Sequence, residues 1–300
     1  MLILKAPAKI NWFLNILGMR DDGFHEIQSL IQKITLFDEL SFSPSNSLRL
    51  TTDVPVALEQ NLVYRAAMLL KETYGVTEGA TIHLDKKIPM GAGLGGGSSD
   101  AASALAGLNE LWSLDLSLNE LSEIAGSIGS DIPFFLYNSM SYVDGRGERI
   151  SPRSVREKLH LLLVKPYFNI STEWSYKTFA LENHARTKHD AYTSDMEHNA
   201  ELTKKEEKDN NIEHFIRKIE RAEIRELAGV VSNDLELIAI KNFPVIAEIK
   251  NSLLDRGALF SLMSGSGSTV FGVFDTKENA EKASQEFDGF WTAVVETIVD

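Results

Sequence analysis

The chain has 300 residues and a net charge of −13, and 43% of its residues are hydrophobic. This length is enough to bury a sizeable core, in one large domain or in two of ordinary size. The charge argues against a nucleic-acid or anionic-membrane surface. The absence of cysteine excludes disulfides, thiolate catalysis and cysteine-based metal sites. The apolar runs are too short for a membrane span or a signal peptide. The lack of cysteine fits the cytoplasm, which is the expected location, and the protein is expected to be a monomer or a homodimer.

Strands and helices are predicted throughout the first half of the chain. Apolar or alternating patterns predict strands at 2–4, 9–17, 31–42 and 81–85. Helices are predicted from Asn61 to Gly75, over about 100–112, and from the capping box of Ser117 and Glu120 to Gly129. Residues 144–147 are expected to form the turn of a hairpin.

The second half begins with a predicted strand at 160–164 and then changes character. Residues 182–222 are polar, and we interpret them as a solvated insertion. After the insertion we predict a helix at 244–255, a strand ending at 263, a strand at 269–274, a helix at 277–287 and a strand at 292–298. This order resembles a ferredoxin-like half-domain, so the expected fold class is α+β with two domains.

The most informative segment is a glycine-rich loop that runs Pro89-Met-Gly-Ala-Gly-Leu-Gly-Gly-Gly-Ser-Ser-Asp100 into a predicted helix. Glycine tolerates positive φ and lets the backbone come close to a ligand, so several N–H groups can point at one spot. The start of the following helix adds a partial positive charge. This combination suits a polyphosphate, and we interpret the loop as the cradle of a nucleoside triphosphate.

Three other interpretations of this glycine loop are weaker. Gly91-x-Gly93-x-x-Gly96 satisfies the dinucleotide fingerprint, but residues 86–90 separate the preceding strand from the first glycine. A Walker A loop needs a lysine after its last glycine, and here two serines follow. A purely structural turn does not need so many glycines, because each one adds backbone entropy to the unfolded chain.

Three segments together carry a resemblance to a known superfamily. The glycine loop is similar to the phosphate-binding motif of the galactokinase, homoserine kinase, mevalonate kinase and phosphomevalonate kinase (GHMP) superfamily. Residues 6–26, with Pro-Ala-Lys-Ile-Asn and Asp-Gly-Phe-His, resemble its first motif, and residues 264–271 resemble its third. The first motif is most like that of the 4-diphosphocytidyl-2-C-methyl-D-erythritol kinases of the non-mevalonate isoprenoid pathway. The resemblance implies a ribosomal-protein-S5-domain-2-like N-terminal half (1–155) and a ferredoxin-like C-terminal half (156–300).

The resemblance implies ATP-dependent phosphorylation of the 2-hydroxyl of a cytidine-diphosphate-linked polyol. Such chemistry depends on alignment and charge stabilisation. Asp131 matches the catalytic aspartate that accepts the hydroxyl proton, although an aspartate just before Pro133 is also a common helix cap. Lys9 matches the lysine that keeps this carboxylate ionised, and an edge-strand lysine in solvent is the alternative. Another alcohol kinase of the superfamily, for homoserine or a mevalonate derivative, and a non-catalytic nucleotide-binding protein of the same fold remain open.

On the ATP side, the resemblance implies contacts from one continuous run and two separate residues. The run is Pro89, Met90, Gly91, Ala92, Gly93, Leu94, Gly95, Gly96, Gly97, Ser98 and Ser99. A serine hydroxyl at the end of the run would lie near Mg²⁺, but the sequence identifies no metal ligands. Asn61 and Lys86 match positions that line the adenine pocket. A helix cap for the first and a solvated lysine for the second are equally open.

On the acceptor side, the matching residues are Asn11, Phe24, His25, Thr172, Tyr176, Gly265 and Gly267. His25 would recognise the cytosine edge by hydrogen bonds. Phe24 and Tyr176 would hold the ring between them, because bases stack on aromatic faces. The glycines at 265 and 267 would bring a second loop toward the phosphates, unless they only form a tight turn.

Overall fold

The structure is a computed structural model, which describes residues 1–190, 214, 216–221, 223–227 and 231–300, without the side chains of 183–190. The predicted insertion at 182–222 lies largely outside the described residues, so its interpretation stays a prediction. In the part of the chain that is described, no helix combines the length and apolar character needed to cross a membrane.

A six-stranded sheet forms the N-terminal half. Its strands are β1 (Leu2–Met19), β2 (His25–Ser45), β3 (Arg49–Thr52), β4 (Gly79–Asp85), β5 (Met140–Gly145) and β6 (Arg149–Arg153). β2 pairs antiparallel with β1, β4 and β5, while β3 joins β4 in parallel and β6 completes the predicted hairpin with β5. The predicted strands at 2–4 and 9–17 are one strand, because a bulge between Pro7 and Ala8 lets β1 keep its pairing with β2.

Three helices complete this half: α1 (Leu62–Tyr74), α2 (Gly96–Leu111) and α3 (Leu118–Ile128). α2 packs on β1 and β2, and α1 and α3 pack against α2 and against each other. The predicted caps are confirmed, since Asn61 accepts a hydrogen bond from the Val63 amide at 2.9 Å and the capping box of α3 is present. α2 begins at Gly96 rather than near 100, so it takes up the last glycines of the loop. It lies close to the sheet because a Cβ at Gly107 would be 2.6 Å from the Phe42 ring.

The C-terminal half contains a four-stranded antiparallel sheet in the order β10–β7–β9–β8. Its elements are β7 (His160–Lys165), α4 (Thr172–Asp190), α5 (Glu236–Asn242), α6 (Val245–Asp255), β8 (Phe260–Met263), β9 (Val270–Phe274), α7 (Lys277–Ser284) and β10 (Trp291–Glu296). The predicted strands are confirmed within a few residues, but α4 and α5 were not predicted. α7 ends at Ser284, short of the predicted end at 287.

The two sheets share a core at their junction. Trp12 on β1 packs edge-on against Phe260 and Phe271 of the second sheet, with ring centroids 6.1 and 5.8 Å apart. A bridge between Leu14 and Asn233 also joins the halves. β1 therefore belongs to one sheet and lines the interface with the other, which places Lys9 and Asn11 between the two halves.

Candidate active site

A cleft of about 1100 Å³ opens at this junction and collects most of the predicted site residues. The predicted residues that line it are Lys9, Asn11, Phe24, His25, Asn61, Lys86, Pro89, Met90, Gly91, Ala92, Gly93, Leu94, Gly95, Gly96, Gly97, Ser98, Asp131, Thr172, Tyr176 and Gly265. Two predicted residues do not line it. Ser99 is buried within α2, and Gly267 packs behind its loop, where a Cβ would be 2.7 Å from the Met263 sulfur.

The three sequence segments meet at one point of the cleft. The Lys9 ammonium donates hydrogen bonds to the Gly93 carbonyl at 2.5 Å and to Asn11 Oδ1 at 2.6 Å. Ser264 Oγ donates to the same Gly93 carbonyl at 3.0 Å. A Cβ at Gly265 would lie 2.9 Å from Lys9 Nζ. Residues far apart in the chain therefore converge beside the glycine loop. Position 265 favours glycine, because its φ is +56° and a Cβ would also lie 3.1 Å from the Gly93 carbonyl oxygen.

Lys9 is buried, with 4% of its surface exposed. Burial lowers the pKa of its ammonium from 10.5 to about 8, and the negative charge of Asp131 opposes this shift. The alternative of a solvated edge-strand lysine is therefore wrong. At neutral pH the side chain carries a desolvated positive charge next to the loop, which is suited to an anionic ligand.

Asp131 stands exposed at the wall of the cleft, before the short 3₁₀ helix Pro133–Leu136. The cap position of that helix is Ile132, and no side chain caps it, so the alternative of a capping aspartate is wrong. Among the described residues, the Asp131 carboxylate makes no hydrogen bond, and a Cβ at Gly147 would come within 3.5 Å of its Oδ1. The carboxylate is thus free to accept a proton from a ligand.

The glycine loop leads into an open helix terminus. Gly95 occupies the cap position of α2 with φ 71° and offers no side-chain hydrogen bond to the first turn. The first N–H groups of a helix have no partner within the helix, and they attract anions. At Gly93, with φ +75°, a Cβ would be 2.1 Å from the Ser264 carbonyl oxygen, so the loop is closely packed against the second loop. This geometry suits the phosphates of a nucleotide.

Aromatic residues occupy another part of the cleft. The His25 and Tyr176 rings lie 5.1 Å apart at 34°, and Phe24 remains 48% exposed. Burial lowers the pKa of His25 and raises the pKa of the Tyr176 phenol, so both groups are neutral at pH 7. Thr172 Oγ1 lies 2.9 Å from the hydroxyl of Ser266. Tyr176 therefore packs against His25 with the two rings tilted, and the placement of a base between Phe24 and Tyr176 stays a prediction.

Comparisons with known proteins agree with this arrangement. The family model for the N-terminal domain of GHMP kinases matches residues 61–139, and the model for the C-terminal domain matches 212–293. A 4-diphosphocytidyl-2-C-methyl-D-erythritol kinase of Thermodesulfovibrio yellowstonii is 46% identical over 301 residues, which cover 100% of this chain and 99% of the relative. The chain belongs to this family of GHMP kinases.

Solved structures confirm the fold of this GHMP kinase. A crystal structure of 4-(cytidine 5'-diphospho)-2C-methyl-D-erythritol kinase is 30% identical, has a TM-score of 0.76, and matches over 98% of this chain and 99% of the other. A homoserine kinase from Cytophaga hutchinsonii has a TM-score of 0.71 at 19% identity, over 99% of this chain and 94% of the other, which shows the shared fold. The predicted α+β GHMP fold is thus confirmed, while the domain boundary at 155 stays a prediction.

In this GHMP kinase, Lys86 is held by a buried pair of carboxylates. Its ammonium lies between Asp38 and Asp100, 2.7 Å from Asp100 Oδ2. Asp38 Oδ1 also accepts hydrogen bonds from the amides of Lys87 at 2.5 Å and Ile88 at 2.8 Å. Burial raises the pKa of Asp100 to about 7, although Lys86 opposes the shift. The cluster ties β2 and α2 to the segment that enters the glycine loop, so the alternative of a solvated Lys86 is wrong.

Asp38→Ala is expected to lower the free energy of unfolding by about 3–5 kcal/mol. The change leaves the buried Lys86 ammonium with one partner and removes the acceptor of two amides. Urea unfolding measures the loss. The matched control is Asp85→Ala, because that carboxylate is largely exposed and 3.4 Å from Lys87 Nζ; it should change stability by less than about 1 kcal/mol. Equal losses in the two variants would contradict the role given to the cluster.

Sequence reasoning missed three residues around the cleft of this kinase. Asn233 is buried, and its Nδ2 donates hydrogen bonds to the carbonyls of Met263 at 2.8 Å and Gly265 at 2.7 Å. It therefore fixes the second loop. Ser266 and Arg146 line the cleft directly. Ser266 lies in the segment 264–271 and Arg146 in the predicted turn at 144–147, but neither was singled out as a site residue. Asn233 was not indicated by any pattern, because it acts on carbonyls some 30 residues away in the chain.

Proposed function

We propose that the protein transfers the γ-phosphoryl group of ATP to the 2-hydroxyl of 4-diphosphocytidyl-2-C-methyl-D-erythritol. The observation that carries the proposal is the meeting of Lys9, the glycine loop and Asp131 in one cleft, in a chain 46% identical to a kinase of this name over its whole length. The product belongs to the non-mevalonate isoprenoid pathway, and a cytoplasmic location is part of the proposal because ATP is the donor.

In the proposed mechanism the protein aligns two bound substrates and supplies charge. The amides of the glycine loop and the start of α2 hold the phosphates of ATP. The oxygen of the acceptor hydroxyl attacks the γ-phosphorus and ADP leaves, while Asp131 takes the proton of that hydroxyl. The Lys9 ammonium, which interacts electrostatically with Asp131, stabilises negative charge on the transferred group. Asn11 orients Lys9, since Asn11 Oδ1 accepts from Lys9 Nζ and its Nδ2 donates to Ser29 Oγ at 2.8 Å.

Mg²⁺ is part of this proposal as a companion of ATP. Ser98 lines the cleft, and the buried hydroxyl of Ser99 has no hydrogen-bond partner among the described residues. Mg²⁺ usually takes few protein ligands and several phosphate or water oxygens, so a serine at the start of α2 fits. When bound, the ion neutralises phosphate charge.

The acceptor end of the cleft fits a nucleobase. Phe24 and Tyr176 offer ring faces, and neutral His25 can both donate and accept hydrogen bonds. Cytosine presents both a donor and an acceptor on one edge, which such a histidine complements. These assignments of individual residues are proposals that support the choice of a cytidylyl acceptor over a simple amino alcohol.

The direct test of this function is ADP release measured with ATP and three acceptors: the cytidylyl polyol, homoserine and mevalonate. We expect acceptor-dependent ADP release with the cytidylyl polyol alone. Turnover of homoserine or mevalonate in its place would overturn the assignment of the acceptor. Tight binding of ATP without ADP release for any acceptor would overturn the assignment as an enzyme.

We expect kcat/KM for ATP to fall above about pH 8. This parameter reports the ionisation of the free enzyme, and the Lys9 pKa of about 8 means that the ammonium is lost above that value. Bound phosphates favour the charged form, so the fall in kcat should begin at a higher pH than the fall in kcat/KM. Initial rates across a pH series measure both. A kcat/KM that stays level well above pH 8 would contradict the role of Lys9.

A further inference from the structure

Arg146 lies over the ring of Phe24 at the acceptor end of the cleft. It lies in the turn between β5 and β6, and its guanidinium carbon is 5.0 Å from the centroid of the Phe24 ring. Both residues line the cleft. Phe24 still exposes 48% of its surface, so its ring is only partly covered. A guanidinium above an aromatic face is attracted by the ring electrons.

The turn holds Arg146 in place from several sides. Arg146 Nη2 donates to the Gly126 carbonyl near the end of α3 at 3.3 Å, and its backbone amide donates to Glu148 Oε2 at 2.7 Å. The next residue, Gly147, packs against the segment that carries Asp131. The turn thus connects α3 and the Asp131 segment to the loop that carries Phe24.

Among the described residues, the guanidinium of Arg146 makes no ion pair of the kind that occupies Lys86 and Lys177 in the cleft. Lys86 lies between two carboxylates, Lys177 pairs with Glu173 at 2.6 Å, and Lys9 binds neutral oxygens beside Asp131. Within the described ranges, the side chain of Arg146 hydrogen-bonds only to a neutral carbonyl. Its charge therefore acts on the loop between β1 and β2, where it faces the Phe24 ring and also helps to lower the pKa of the Asp22 carboxyl.

We propose that Arg146 is a positioning residue for the acceptor: its guanidinium fixes the Phe24 ring as the platform on which the nucleobase stacks. Phe24 lies in the half-exposed loop between β1 and β2, where an unsupported ring would lose rotamer freedom on binding. A ring that is already held reduces this loss. The inference rests on the proposed function, and it adds Arg146 as the residue that holds the Phe24 ring in place for the base.

Arg146→Gln should raise the dissociation constants of cytidine and of CDP by the same factor, about 3- to 30-fold. The KM for the acceptor should rise with them, while kcat and the KM for ATP stay near wild type, because the residue touches no reacting atom. Arg146→Lys should recover part of the loss, since an ammonium is also attracted to the ring. Calorimetry and initial rates provide these values.

The matched control is Arg149→Gln on the same hairpin. The Arg149 guanidinium pairs with Asp144 and Glu26 and does not line the cleft. This variant should bind cytidine as the wild type does. An equal effect of Arg146→Gln and Arg149→Gln would show a general disturbance of the hairpin and overturn the inference.

A double-mutant cycle with Phe24→Ala gives the decisive readout. If Arg146 acts through the ring, Arg146→Gln has no further effect once Phe24 is alanine. Additive effects would overturn the inference. A loss for CDP without a loss for cytidine would also overturn it, because the guanidinium would then bind phosphate. A wild-type protein that binds cytidine but releases no ADP with the cytidylyl polyol would refute the proposed function. Cytidine binding by the wild type and the variants would still test the role of Arg146.

Discussion

Asp131→Asn is expected to lower kcat by about 10²–10⁴-fold, the range that a positioned general base contributes. The amide has the shape of the carboxylate but cannot take the proton of the acceptor hydroxyl. Folding should be unaffected, because the carboxylate is exposed and makes no hydrogen bond with any other described residue.

Steady-state ADP release and thermal unfolding together test this expectation. The control is Asp144→Asn, a carboxylate on β5 that pairs with Arg149 and does not line the cleft. The control should turn over as the wild type does. Wild-type-like turnover by purified Asp131→Asn, with an unchanged melting temperature, would remove Asp131 from the mechanism.

Local features of the fold were predictable because their causes are local. Asn61 caps α1, and the capping box of Ser117 and Glu120 opens α3. Both depend on side chains within three residues of the amide they satisfy. The sequence did not predict that β1 is one continuous strand. The bulge after Pro7 is tolerated because β1 pairs with β2 on both sides of it, and the β2 residue opposite Pro7 is Phe37, thirty positions away in the chain.

The candidate site divides in the same way. The glycine loop could be predicted from its composition. The resemblance adds Lys9 and Asp131, and the fold places both residues in the same cleft as the loop. The cluster of Asp38, Lys86 and Asp100 was missed because the first carboxylate is 48 residues from its lysine. Such partners become visible only when β2 and α2 pack together.

Lys9→Met is expected to lower kcat by about 10²–10⁴-fold, because it removes the charge beside Asp131 and the transferred phosphoryl group. Methionine keeps the length and apolar stem of the side chain, so the buried space stays filled. The two acceptors of Lys9, Gly93 O and Asn11 Oδ1, lose a donor. We expect that loss to lower the free energy of unfolding by about 1–3 kcal/mol.

Desolvation of the Lys9 ammonium affects the stability of Lys9→Met in the opposite direction, because methionine carries no charge. A pKa lowered from 10.5 to about 8 means that the folded state disfavours the Lys9 ammonium, by about 3 kcal/mol. Methionine avoids this desolvation, so the two terms offset each other. Lys9→Met should therefore lose activity while its free energy of unfolding stays within about 2 kcal/mol of wild type. Loss of activity together with general unfolding would contradict this account.

The pH dependence of the free energy of unfolding separates the effect of the lost hydrogen bonds from the effect of desolvation. Between about pH 8 and 10.5 the unfolded chain keeps the Lys9 proton while the folded chain releases it. Stability then rises with pH, because the unfolded state binds more protons. Lys33, with a pKa also lowered to about 8 by burial, contributes a similar rise in both proteins. Urea unfolding at pH 7 and pH 10 should therefore show that Lys9→Met loses stability relative to wild type as the pH increases. A difference between the two proteins that does not change with pH would mean that Lys9 is not held as a desolvated ammonium.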